Sequence, residues 1–100
     1  MSNLHGVIVS FNQPLPYPDK LYETGEAFAQ VIEDANVGIY DGHGSAEDDS
    51  FGDYFMFGPD ADKLFEVIKP IIDLNAFFKG GSVFIRYGEG ENAKTKIYQL

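Results

Sequence analysis

Hydrophobic and polar positions change period along this chain, and each change marks an element. Residues 5–11 (HGVIVSF) alternate, with Val7, Val9 and Phe11 on one side and Ile8 and Ser10 on the other. A period of two predicts a strand. Pro14, Pro16 and Pro18 follow. Prolines at alternate positions remove backbone donors and hold the chain extended, which predicts a loop. From Lys20 to Ala35 the period becomes helical, with Leu21, Phe28, Val31, Ile32 and Ala35 on one stripe and Asp19 placed as the N-cap. Gly25 lies on that stripe. It weakens the helix by about 1 kcal/mol relative to Ala, and a close approach of helix to sheet would explain it. Asn36 and Gly38 supply the stop.

The second half shows a weakly similar pattern without an internal repeat. Residues 37–40 (VGIY) predict a short strand, and residues 41–50 (DGHGSAEDDS) a polar connector. Residues 51–57 (FGDYFMF) predict a third strand, with Phe51, Phe55 and Phe57 on the same side as Asp53 and with Tyr54 and Met56 opposite. The phenylalanine stripe reads as core. Pro59 and the acids Asp60 and Asp62 open a second helix, on which Ala61, Leu64, Phe65, Ile68, Ile71 and Ile72 recur at helical spacing. Pro70 falls inside that pattern and predicts a kinked helix running to Leu74. Gly80-Gly81 is a turn, residues 82–88 a fourth strand, residues 89–93 a hairpin turn and residues 94–100 a fifth strand.

The order β-α-β-β-α-β with a terminal strand predicts an α+β, ferredoxin-like two-layer sandwich, one domain over residues 1–100. Right-handed crossovers give strand order 4-1-3-2, with the fifth strand outside the fourth. Two helices cover one face of an antiparallel sheet and leave the other as the working surface. Ile8, Tyr54, Met56, Phe84 and Tyr98 are the predicted residues of that open face. A register slip of one residue would exchange every side chain between faces.

Composition narrows the function classes. Hydrophobic residues make up 44% of the chain and aromatic residues 15%, enough for one core. Sixteen acidic against seven basic side chains give a net charge of −9. No Lys/Arg cluster offers a footprint for nucleic acid, and an anionic membrane would be repelled. A basic protein would instead be steered towards the chain, although acidic surfaces commonly serve solubility alone. The absence of cysteine removes disulfides, thiolate chemistry and Cys-ligated metals. Met1 to His5 lacks a leader pattern and no run reaches transmembrane length, so a cytoplasmic protein is expected.

Candidate chemistry is sparse. Asp41 and His43 stand two apart, and in a strand they would project to one side. Such a pair can ligate zinc or manganese, or act as a base and its orienter. The commoner reading is a flexed connector with a capping Asp and a hydrogen-bonded His. Glu47, Asp48, Asp49 and Asp53 do not match a calcium loop. Gly88-Glu89-Gly90-Glu91 lacks the context of a phosphate loop. Aromatic residues on strands are also found in RNA-recognition sheets, but the basic residues of such a module are missing. None of Ser2, Ser10, Ser45, Ser50 and Ser82 sits in a nucleophile elbow. The expectation is a protein without catalytic residues or cofactor, and not an enzyme.

Val37-Gly38-Ile39-Tyr40-Asp41-Gly42-His43, Tyr54 to Phe57, Gly58-Pro59-Asp60-Ala61-Asp62-Lys63-Leu64-Phe65, Ile68-Lys69-Pro70-Ile71 and Gly80 to Gly88 together cover about half the chain. Through these segments the sequence resembles a family of small bacterial proteins with no assigned activity. The resemblance implies a bacterial, cytoplasmic, ferredoxin-like protein and transfers no mechanism. Three functions follow as expectations: a homodimer through the open face, an immunity-type inhibitor of a basic toxin, and a small-ligand or metal site in the Asp41–Ser50 connector.

Overall fold

The structure, a computed structural model, describes residues 4–100. The expectation of no leader sequence rests on residues 1–3 as well, which lie outside the described residues. Two helices and five strands follow one another as β1 (His5–Phe11), α1 (Lys20–Ala35), β2 (Ile39–Ser45), β3 (Gly52–Gly58), α2 (Ala61–Leu74), β4 (Ser82–Arg86) and β5 (Thr95–Gln99). A 3-10 turn, Ala76–Phe78, sits between α2 and β4. The strands form one sheet in the order β2-β3-β1-β4-β5, and every neighbouring pair is antiparallel.

The helices end in different ways. Asp19, predicted as the cap of α1, makes no side-chain cap bond and is itself helical in conformation. The Tyr17 carbonyl accepts the Lys20 amide at 3.1 Å instead. The far end of α1 closes with Asn36 in the left-handed region (φ 53°), its amide donating to Glu33 O and the Val37 amide to Ile32 O. Asp60 caps α2 with its side chain, accepting the Asp62 and Lys63 amides at 3.1 and 3.2 Å. His5 Nδ1 accepts the Ala61 amide at 3.0 Å, so β1 and α2 are tied at the helix start. α2 runs through Pro70 to Leu74.

Both helices pack on one face of the sheet. Val7, Val9, Phe11, Tyr54, Met56, Val83 and Ile85 rise from the strands to meet Leu21, Phe28 and Ile32 of α1 and Ala61, Leu64, Ile68 and Ile72 of α2. Phe77 and Phe78 of the 3-10 turn close the end, with Phe77 edge-on to Phe11 at 5.3 Å. Sequence periodicity missed this turn because three residues are too few to show a period. Among the described residues, no helix is long and apolar enough to cross a membrane.

Candidate functional site: the uncovered face of the sheet

Strand pairing fixes what the second face carries. Its middle row runs Phe55, Ile8, Phe84, Ile97, each opposite the next across β3, β1, β4 and β5. One flanking row is Ile39, Phe57, Gly6, Arg86, Thr95, and the other is Gly44, Asp53, Ser10, Ser82, Gln99. Ile39 and Ile97 are 63% and 62% exposed and Phe57 is 37% exposed, while Ile8, Phe55 and Phe84 are half-buried by one another. No helix lies over them. Beyond Gly6, a hollow of about 250 Å³ is lined by Leu4, Phe57, Arg86, Gly88, Glu89 and Gly90.

Within these rows, charge enters the face at Asp53 and Arg86 alone. Asp53 accepts a hydrogen bond from Ser10 Oγ at 2.5 Å. Arg86 Nη2 donates to the Gly90 carbonyl. Neither makes an ion pair; the one ion pair among the described residues is Lys69–Asp73 on α2.

Three of the predicted face residues lie elsewhere. Tyr54 and Met56 are fully buried under the helices. Tyr54 donates its hydroxyl to Leu21 O at 2.9 Å and packs edge-on to Phe28. Tyr98 lies opposite Val83 on the helix side and stacks on Phe65 of α2 at 5.1 Å. Phe84 and Ile8 are on the uncovered face as expected. The stripe Phe55 and Phe57, expected in the core, is on that face too, and Phe51 precedes β3 and is 57% exposed. β3 is thus turned over relative to the expectation. Alternation assigns two sides to a strand, and both sides of this one are apolar, so hydrophobicity could not choose between them. Asp53 could have. It shares a side with the phenylalanines, and an unpaired carboxylate is costly in a core.

The Asp41–Ser50 segment also differs from its expected form. β2 continues through His43 to Ser45, pairing with β3 across a bulge between Tyr40 and Gly42. Gly42 adopts φ +122°, which a side chain would strain, so a residue that reads as a turn former serves the bulge. Asp41 is the unpaired residue there and is exposed. Beyond Ser45 a tight turn engages two of the local acids. Asp49 accepts from Ser45 Oγ at 2.9 Å, and Asp48 accepts from Ser50 N and Oγ at 3.1 and 2.7 Å. The Ser50 bonds hold the Asp48 carboxyl below its ordinary pKa.

His43 lies opposite Tyr54, on the helix side. Its Nδ1 is 2.7 Å from the Tyr40 hydroxyl, and its ring meets Tyr22 edge-on at 5.1 Å. Burial pushes the Tyr40 hydroxyl up to about 12. It is therefore protonated at neutral pH, and its hydroxyl is placed to hydrogen-bond with Nδ1. Gly25 makes the space for this pair, since a Cβ there would stand 2.5 Å from the Tyr40 oxygen. Asp41 makes no hydrogen bond with His43, and no group of three or more metal-ligating side chains occurs among the described residues. The corner is a packed aromatic joint between α1 and β2.

No family model, characterised protein or solved structure matches the chain.

Proposed function

We propose that this chain is a ferredoxin-like interaction domain whose uncovered sheet face docks a second copy of itself. The row Phe55–Ile8–Phe84–Ile97 carries the reading. Five strands of about five residues present a face of roughly 400 Å². The largest exposed apolar patch on a typical monomer is of this order and is often functional. The strand order β2-β3-β1-β4-β5, with both helices on the other face, supports the ferredoxin-like assignment.

Charge placement favours self-association at this face. Of the sixteen acidic residues only Asp41 and Asp53 lie in strands; the others are on the helices and loops. The net charge of −9 therefore does not concentrate where two copies would meet. A basic protein would be drawn to the helix side and the loops, where the acids are, and would leave the sheet face uncovered.

Light scattering at micromolar concentration tests the reading. The wild-type chain should give twice its 11.1 kDa mass, and Phe84→Lys should give a folded monomer. A wild-type monomer at 100 micromolar, or a Phe84→Lys dimer as tight as wild type, would contradict it.

A further inference from the structure

Asp53 and Arg86 are the two charges in the paired rows of the uncovered face, and their positions are related. Asp53 lies opposite Ser10 and Arg86 opposite Gly6, so in register each is two residues along the sheet from Ile8, in opposite directions. Asp53 is one strand to one side of Ile8, on β3, and Arg86 is one strand to the other, on β4. Ile8 is thus the midpoint between an acid and a base, and it also lies on β1, the central strand of the sheet. A face that carries opposite charges at equal and opposite offsets from its centre is complementary to itself.

We infer that two copies pack face to face about a two-fold axis through Ile8, with Asp53 of each copy meeting Arg86 of the other. This rests on the reading that the face docks a second copy, and it specifies how. The charges are separated by about 13 Å along the strands and about 10 Å across them. A two-fold axis in the interface that exchanges them crosses the two sets of strands at roughly 70°, close to the orthogonal class of sheet packing. Ile8 then packs on Ile8, and the phenylalanines at 55 and 84 surround that contact. Both charged groups are free to pair. Asp53 holds one internal hydrogen bond, from Ser10, and has a second carboxylate oxygen. Arg86 borders the hollow over Gly6, which leaves room for an incoming carboxylate. Within that hollow Arg86 Nη2 donates to the Gly90 carbonyl, and the other guanidinium donors remain for a carboxylate from the second copy.

Two charge reversals test the pairing, and their mixture isolates it. In an Asp53→Arg homodimer two arginines meet at each contact, and in an Arg86→Asp homodimer two aspartates meet. Mixed one to one, the variants place arginine against aspartate at both contacts. Each variant alone, folded by circular dichroism, should dimerise at least tenfold more weakly than wild type. The mixture should form a heterodimer within a few-fold of wild-type affinity, read by native mass spectrometry. If both variants dimerise like wild type while Phe84→Lys is monomeric, the face stands as the interface and this pairing is wrong. If the folded variants stay monomeric when mixed, the pairing is likewise overturned. A wild-type monomer would remove the underlying reading and this inference with it.

Discussion

Tyr54 and Phe55 are neighbours in β3 and meet opposite surroundings. Tyr54 is fully buried, with its hydroxyl bonded to Leu21 O and its ring against Phe28. Phe55 is half-buried, among Ile8 and the other residues of the uncovered row. The two faces of the sheet have similar apolar side chains, but helices cover only one. On the covered face the hydrophobic effect is satisfied within the chain. On the other the apolar row stays partly in contact with water. An apolar alternation therefore says that a strand has sides, while the helices decide which side is the interior.

Matched truncations would break or sharpen this contrast most strongly. Phe28 is fully buried and packs on Tyr54 and Phe78. Phe28→Ala should cost about 3–5 kcal/mol. Phe84→Ala should cost the monomer only about 1 kcal/mol, because its ring is already partly in water. Urea unfolding, repeated over a series of protein concentrations and extrapolated to the monomer, compares them. Equal losses would mean that the two faces do not differ as described.

Gly25 tests how tightly the covered face is closed at its β2 edge. Gly25→Ala gains about 1 kcal/mol of helix propensity, but its methyl would meet the Tyr40 hydroxyl at 2.5 Å. A net loss of about 1–3 kcal/mol is expected from the overpacking. Tyr40→Phe removes the clashing oxygen, so the double variant should recover part of that loss. A Gly25→Ala protein more stable than wild type would show that the joint is loose.

Alkali gives the smallest effect and reads the helix side of the sheet alone. Burial raises the Tyr40 hydroxyl to about 12, and it raises Tyr54 as well. Tyr87 reaches about 12 mainly because its hydroxyl donates to Asp62 at 2.7 Å. A tyrosine whose folded pKa lies above its unfolded value near 10 binds its proton more tightly when folded. That contribution is complete below pH 10 and is lost as pH rises towards 12. Melting temperature should fall over this window, and Tyr40→Phe should make the fall shallower. An unchanged slope would mean that the Tyr40 hydroxyl is not held inside the fold.

The elements themselves were legible in the sequence. The alternation of residues 5–11 became β1, and the helical stripe from Leu21 to Ile32 became the buried side of α1. Gly25 marked a close approach, and the structure identifies the Tyr40–His43 pair as what it approaches. The fate of β2 was less legible. Gly42 and Gly44 read as turn formers, yet pairing with β3 holds them in a strand, a long-range effect that local propensity does not contain. The candidate site was half legible: Ile8 and Phe84 were placed on the uncovered face, and Tyr54, Met56 and Tyr98 were not on it. The missing guide was Asp53, whose charge marked the outer side of β3.

The most direct measurement of what covers that face is an isotope-filtered nuclear Overhauser experiment on a mixed sample, one half labelled with ¹³C and the other unlabelled. Contacts between copies are expected from the Ile8 methyls to Ile8, and to the rings of Phe55 and Phe84, with none from the buried Tyr54 ring. Contacts between copies confined to the helices or to the outer edge of β5, or none at concentrations where the chain has twice its monomer mass, would contradict that expectation.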